Sequence, residues 1–465
     1  MSLLNQLKMQ LSCEPLLSAT HLVVAYSGGV DSHVLLHVLH RLRQHVPRHF
    51  QLSAIHIHHG ISQHADKWQS HCQQVCTQLN IAFETANVAV AALPRQSLEA
   101  QAREARYSKL LELAPTHSQV LLAQHQDDQL ETFLLQLKRG AGPKGLSAMG
   151  RAWVTHCPLQ PDKQVGFVRP LLNTTQQQIL DYAQQHNLQW CEDESNQNTD
   201  FERNFLRHNV LPILQGRWPE IAHSVARSAA LCAEQQSLLD DISAEKLKPL
   251  KASDNSLHLP ALKKLSQSWL NQLVRYWLSE LGIQSPSLAV LNQLKPELLD
   301  SANDATPILQ WQGWQFRRFN QALFVIKAKQ LIDNQVLNWH GESQIVLPSG
   351  IGAVQFRQSF QSDKESLTLD PKEGDIKLQF GGYSQRFTPK GAAHSKPLKQ
   401  WFKQWRIPPW ERNKVVLLIQ NEHLKGILMH SKWLPAQDYV PASGNVVAIE
   451  FIKPSRSNEG LILGA

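Results

Sequence analysis

The stretch Leu22-Val23-Val24-Ala25-Tyr26-Ser27-Gly28-Gly29-Val30-Asp31-Ser32 joins a short apolar run, a paired-glycine turn and the opening of a helical pattern over Asp31 to Leu42. Two glycines allow a tight turn and bring backbone N–H groups against an anion. A helix N-terminus adds partial positive charge, and Ser27 and Ser32 add hydroxyl donors. The loop Ser27, Gly28, Gly29, Val30, Asp31, Ser32 therefore suits phosphate. It lacks the Lys of a Walker A loop and is not G-x-G-x-x-G. Asp31 alone would repel phosphate, so a bridging cation such as Mg²⁺ is the natural reconciliation. The competing reading is an ordinary Ser-Gly-Gly turn capped by Asp.

Outward from this loop, strand and helix patterns alternate. Strands are expected at Leu52–Ile57, Phe83–Val88 and Val120–Ala123, and helices at 66–80, 97–113 and 128–138. Repeated strand–helix units predict an α/β fold with a parallel sheet and right-handed crossovers. Ligands of such sheets bind at the carboxyl ends of the strands. A strand at 165–169 and a helix at 175–186 extend this first domain, expected over residues 1–216. Residues 217–330 read as mainly helical (219–247, 260–281, 286–299), closing with strands 308–318 and 322–327. Residues 331–465 read as a basic α+β domain with a helix at 396–406.

The chain has 465 residues, which suggests about three domains. Mean hydropathy is −0.32 and no apolar run approaches membrane-spanning length, so no membrane partner is expected. Six cysteines without a C-x-x-C pair give no disulfide framework or zinc ribbon and fit a reducing cytoplasm. The net charge of +7 is concentrated: residues 381–465 hold 12 Lys/Arg against 5 Asp/Glu, and the rest of the chain is balanced. A basic terminal module on a neutral body implies a polyanionic partner.

A second candidate site is Gln124-His125-Gln126-Asp127-Asp128-Gln129-Leu130-Glu131-Thr132, after the fourth strand. Asp127, Asp128 and Glu131 share one helix face, although Asp128-x-x-Glu131 also reads as a capping box. At a strand end beside the first loop, such like charges need a metal or a cationic substrate.

The S-G-G-x-D-S loop resembles the pyrophosphate loop of N-type ATP pyrophosphatases. That resemblance implies cleavage of ATP between its α and β phosphates, adenylation of an oxygen and attack by a nucleophile. The A-x-H-x-D-D-Q-x-E-T pattern, with Leu137-x-Arg139-Gly140 and Gly145-Leu146, resembles the tRNA(Ile)-lysidine synthetase family, most of whose members carry His where this chain has Gln124. His58-His59-Gly60, Glu99-Ala100-x-Ala102-Arg103-x-x-Arg106-Tyr107, Glu192-Asp193-x-Ser195-Asn196 and Arg203-Asn204-x-x-Arg207 are similar to further motifs of that family. So are Lys396-Pro397-Leu398-Lys399 and Ile407-Pro408-Pro409-Trp410-x-Arg412 in the basic module.

The resemblance implies a ligase that uses ATP and Mg²⁺ to join L-lysine to the wobble cytidine of tRNA(Ile) with anticodon CAU. Asp31, Asp127, Asp128 and Arg103 are then the catalytic candidates, with Asp31 and Asp127 holding the metal. The Ser27–Ser32 loop and His58 would bind ATP. Arg106, Asp193, Asn196, Arg203, Asn204, Arg207, Lys396, Lys399 and Arg412 would meet substrate or tRNA. Plainer readings compete: helix salt bridges for Arg103, pairing with Glu192 to Glu194 for Arg203 and Arg207, a solvated face for the C-terminal lysines, and core packing for most tryptophans. The oligomeric state is left open, a homodimer included. A tRNA thiolase of the same superfamily is the nearest rival, but Cys72-x-x-x-Cys76 lacks C-x-x-C spacing. A tRNA-binding protein without catalysis is a rival of another class.

Overall fold

The computed structural model describes residues 2–45, 50–58, 64–88, 98–157, 160–302, 305–328, 334–359, 367–442 and 446–453. The chain divides into two compact units, Met1–Leu239 and Asp240–Ala465.

The first unit runs α1 (Leu3–Leu11), β1 (His21–Ala25), α2 (Val30–His45), β2 (Gln51–His58), α3 (Ala65–Gln78), β3 (Ala82–Asn87), α4 (Leu98–Leu113), β4 (Gln119–Leu121) and α5 (Gln126–Lys138). It continues through α6 (Pro143–Leu146), β5 (Ala152–Cys157), β6 (Gln160–Val168), α7 (Gln176–Gln185), α8 (Glu202–Phe205), a π-helical turn over Leu206–Val210, α9 (Leu211–Arg217) and the start of α10 (Ile221–Leu247), whose last eight residues belong to the second unit. The expected alternation of strands and helices is present. Helix α1 and strand β5 were not expected.

The strands form one sheet in the order β3-β2-β1-β4-β6-β5. All pairs are parallel except β5–β6. Alternate residues of the inner strands enter opposite cores, as the pleat requires. Leu22 and Val24 of β1 pack with Leu35 and Leu39 of α2, whereas Val23 packs with Leu110 of α4 and with Ala114 just after it. Likewise Leu52 and Ala54 of β2 face the first core, and Ile55 and Ile57 the second. Burial on both faces explains the uninterrupted apolar runs, each large side chain contributing about 1.5–3 kcal/mol.

The strand order places the site. Strands β2 and β3 lie to one side of β1 and β4 to the other, so the chain reverses its direction of winding between β1 and β4. Open α/β sheets bind ligands at such a switch point, beyond the carboxyl ends of the strands. The Ser27–Ser32 loop leaves β1 there, and the Gln124–Glu131 segment leaves β4 beside it.

The second unit opens with β7 (Leu257–His258), α11 (Leu259–Lys263), α12 (Gln267–Glu280) and α13 (Leu288–Gln293), then β8 (Ile308–Trp311), β9 (Trp314–Phe319) and β10 (Ala322–Lys327). The helix expected over 260–281 is two helices, because Ser266 caps α12 by accepting from the Trp269 N–H. The single strand expected over 308–318 is the hairpin β8–β9, which turns at Gly313 with φ +82°. Trp277, Trp311 and Phe316 fill the core here.

The remaining elements are β11 (Val336–Asn338), β12 (Gln344–Val346), β13 (Ala353–Ser359), β14 (Leu367–Leu369), β15 (Ile376–Phe380), β16 (Arg386–Phe387), β17 (Lys396–Pro397), α14 (Leu398–Gln404), α15 (Pro409–Arg412), β18 (Val416–Gln420), β19 (His423–Met429), β20 (Lys432–Pro435) and β21 (Val446–Ile452). They build two larger antiparallel sheets, β11-β15-β18-β19-β20 and β12-β13-β21-β14, and the two-stranded pair β16-β17. Helix α14 lays Leu398, Trp401 and Phe402 into their shared core. No described helix is long and apolar enough to cross a membrane.

Candidate active site

The glycine turn is held from inside and from behind. Ser32 Oγ donates to the Gly29 carbonyl at 3.0 Å, and the Ser27 N–H donates to Ser32 Oγ at 3.2 Å. The Gly28 carbonyl accepts from the Cys191 N–H at 3.0 Å, which docks the Glu192–Asn196 segment beside the loop. Gly28 has φ +88°, and a Cβ there would meet Cys72 Sγ at 3.0 Å. Only glycine suits this position. The first amides of α2 lack partners within the helix and open toward the switch point.

Asp31 stands in the first turn of α2, and its Oδ1 is buried without a hydrogen-bond partner. Burial pushes its carboxyl up from the usual range, with Asp128 and Asp127 adding to the effect, and His125 and Arg207 opposing it. His125, 2% exposed, is the hub of the cluster. Its Nε2 lies 3.8 Å from Asp31 and 3.5 Å from Asp128, and its Nδ1 lies 3.7 Å from Asp127. The two motifs expected to converge thus meet around one imidazole.

The carboxylates of α5 differ in their company. Asp127 accepts from the Gln176 N–H at 2.9 Å and from Gln215 Nε2 at 3.0 Å. Asp128 accepts from the His125 N–H at 3.0 Å. Glu131 is 1% exposed and takes Arg203 Nε at 2.6 Å and Arg207 Nε at 2.7 Å. Both arginines also reach Asp128, at 3.2 and 3.3 Å. Burial alone would raise the Asp128 carboxyl, but His125, Arg203 and Arg207 together hold it below the usual range. Burial works against the charge of Arg203 and of Arg207, and Asp128 and Glu131 outweigh it. The competing reading, which paired these arginines with Glu192 to Glu194, gives way to pairing with Asp128 and Glu131 of α5.

Their placement depends on the loop before α8. Asn204 Nδ2 donates to the Asn198 carbonyl at 2.9 Å, and His208 bonds the Asn196 carbonyl at 2.8 Å. The Asn196 N–H closes a turn on the Asp193 carbonyl at 3.0 Å. Asn196 and Asn204 thus shape the segment that carries Arg203 and Arg207. His58, at the end of β2, lies 3.2 Å from Asp66. His59, Gly60 and the side chains of Glu99 and Ser195 fall outside the described residues.

Arg103 and Arg106 flank the Tyr107 ring, at 5.2 and 5.8 Å, and Arg103 Nη2 donates to the Tyr107 hydroxyl at 3.4 Å. Two site groups escaped the sequence reading. Gln215 carries no motif; its signal was only a polar residue in the apolar pattern of α9. Arg169, at the carboxyl end of β6, donates Nε to Gln124 Oε1 at 3.0 Å and lies 4.4 Å over the Trp153 ring. Its place after a strand was the available clue.

In the second unit, Lys396 donates to Gln404 at 3.1 Å and lies 4.9 Å over the Trp401 ring. Lys399 is exposed on α14. Arg412 donates Nε to the Ile407 carbonyl at 3.0 Å. Trp410 packs edge-on to Phe324 at 5.3 Å and Phe319 at 6.1 Å. The Ile407–Arg412 motif therefore has a packing duty inside this unit.

Cys72 and Cys76 suit no nucleophilic role. Cys72 and Cys76 are fully buried, and burial pushes the Cys72 thiol far up and the Cys76 thiol up to about 12. Thiolates, not thiols, do such chemistry.

Family profiles match the chain in three places: a PP-loop domain over residues 3–214, a TilS substrate binding domain over 257–324 and a TilS substrate C-terminal domain over 376–433. The tRNA(Ile)-lysidine synthase of Serratia proteamaculans is 40% identical over 423 residues, covering 90% of this chain and 93% of its own. That of Vibrio vulnificus is 38% identical, covering 88% and 91%. A solved U34-tRNA thiolase from Methanococcus maripaludis aligns at 16% identity and TM-score 0.40, over 50% of this chain and 78% of its own, a likeness too loose to carry an argument. With a PP-loop domain on the Ser27–Ser32 turn and relatives matched over nearly their whole length, the chain belongs to the tRNA(Ile)-lysidine synthase family.

Proposed function

We propose that this protein joins the ε-amine of L-lysine to C2 of the wobble cytidine in the isoleucine tRNA with anticodon CAU. ATP first adenylates the 2-keto oxygen, releasing pyrophosphate; the amine then forms the C–N bond as AMP leaves. The observation that carries this reading is the convergence of Asp31, Asp127 and Asp128 on His125 beside a phosphate-type loop.

Each group has a physical task. The Ser27–Ser32 amides and hydroxyls stabilise charge growing on the leaving pyrophosphate. Asp31 has an orphaned, buried oxygen, and hard carboxylate oxygens fit Mg²⁺. Among the described residues no ready-made cluster of three or more His, Cys, Asp or Glu surrounds a metal position. Asp31, supported by Asp127, would hold the cation together with ATP phosphates, and the cation would neutralise phosphate charge. The attacking amine must shed a proton, and a nearby carboxylate that does not hold the cation suits that role. Asp128 and Glu131 are already neutralised by Arg203 and Arg207, so these arginines act first as supports of the acidic cluster. Arg103 and Arg106 remain the candidates for phosphate or carboxylate contact. The exposed lysines of α14 suit RNA phosphate at a distance from the reacting base. Oligomeric state, a homodimer included, plays no part in this reading.

The test is mass analysis of the CAU isoleucine tRNA after incubation with ATP, Mg²⁺ and isotopically labelled lysine. The expected product carries the label, and AMP release depends on lysine. Asp31→Asn is expected to lower turnover by at least about 10³-fold with thermal unfolding unchanged. Unlabelled tRNA, or turnover retained in the variant, would defeat the assignment.

A further inference from the structure

Arg169 is a buried cation on neutral partners. It is 6% exposed. Its Nε donates to Gln124 Oε1 at 3.0 Å, an Nη donates to the Gly150 carbonyl, and its face covers Trp153 at 4.4 Å. The Trp153 ring is itself stacked on Phe167 of the same sheet, 5.1 Å away and 9° from parallel. A guanidinium taken from water onto amide, carbonyl, phenol and ring partners, with Tyr107 bonded to it and Asp128 acting on it only through space, costs free energy.

What those partners share is position. Gln124 directly precedes His125, the residue that touches all three aspartates. Gly150 belongs to the loop after α6. That loop is tied to α5 a second time, because the Gln129 amide donates to the Met149 carbonyl at 3.1 Å and accepts from its N–H at 2.9 Å. A backbone rotation at Gln124 would swing His125, Asp127 and Asp128 together. The two ties bracket the start of α5, one before the acidic residues and one among them.

We propose that Arg169 is a positioning residue: through Gln124 and Gly150 it fixes the Gln124–Asp128 turn in the geometry that chemistry at Asp31 requires. With Nε and one Nη engaged by the protein and little surface exposed, it does not bind substrate. The planar fork is essential, since a lysine ammonium cannot hold an amide and a carbonyl at two set angles.

The inference rests on the active-site reading above, and the test separates the two. In the full-length enzyme, Arg169→Lys keeps the charge and loses the fork. Gln124→Met keeps the shape and loses the acceptor, and it still reports if the arginine variant fails to fold. Each is expected to lower kcat about 10- to 100-fold, the cost of a small misplacement. KM for ATP and lysine should stay within about threefold. The double variant should be no slower than the slower single variant, as residues on one path do not add. Wild-type turnover in Gln124→Met, losses that multiply, or a raised KM with kcat unchanged would each overturn the proposal. A dead Asp31→Asn enzyme alongside an unaffected Gln124→Met enzyme would sink this inference alone. An active Asp31→Asn enzyme would sink the reading beneath it.

Discussion

Glu131 is nearly sealed from water, yet it is the anchor of two arginines that are themselves only partly covered. Removing its charge leaves Arg203 and Arg207 facing the remaining carboxylate Asp128. Glu131→Gln is therefore expected to destabilise the first unit by about 2–3 kcal/mol, short of the full cost of a wholly buried pair. Urea unfolding reads this directly, and an unchanged midpoint would mean that solvent already satisfies both guanidinium groups. Asp31 is the opposite case: His125 and Arg207 do not outweigh its burial, so its carboxyl stays raised where that of Asp128 is held down.

Helix α2 links the loop to the back of the domain. Its apolar residues Leu35, Leu36 and Leu39 enter the core, while His37 reaches the Tyr182 hydroxyl of α7 at 3.0 Å. Burial pushes the His37 pKa down to about 4, and His186 and Arg41 add to the shift. The unfolded chain binds this proton near pH 6.5 and the folded chain does not, so stability falls as pH drops from about 6.5 to about 4. The loss at pH 5 relative to pH 7 should be on the order of 1 kcal/mol for this half-buried group. Comparing urea midpoints of wild type and His37→Gln at both values checks it. Equal pH dependence in the two proteins would remove His37 from the account.

Across the whole molecule, charge is divided as unevenly as chemistry. The acidic cluster lies in the first unit, and the excess of Lys and Arg lies in the last 85 residues. Lys399 and Lys403 are exposed at i and i+4 on α14, so they present charge on one face. Lys399→Gln with Lys403→Gln should weaken tRNA binding and reduce the salt slope of log K by up to about two, leaving ATP affinity unchanged. Filter binding across a salt series would show it, and an unaltered slope would assign these lysines to solvent. Deleting residues 331–465 is a poorer test, because Trp410 packs on Phe319 and Phe324 and the cut would expose them.

The division of labour between sequence and fold follows contact range. The Ser27–Ser32 turn, the Asp127–Glu131 face and the strand–helix alternation are written in contiguous residues, where backbone chemistry and periodicity act over one or two turns. They were legible before any coordinates. The partners of Arg203 and Arg207 were not, because Glu131 lies 72 and 76 residues away and nearer acids competed for the same reading. Gln215 on Asp127 and Arg169 on Gln124 join segments 88 and 45 residues apart, and nothing local marks either pair. By itself the chain determined which candidate groups gather and at which strand ends they stand. Only the tertiary structure decided which carboxylates stay free and which are neutralised, since that depends on which distant side chains the packing of the sheet and helices brings within 4 Å.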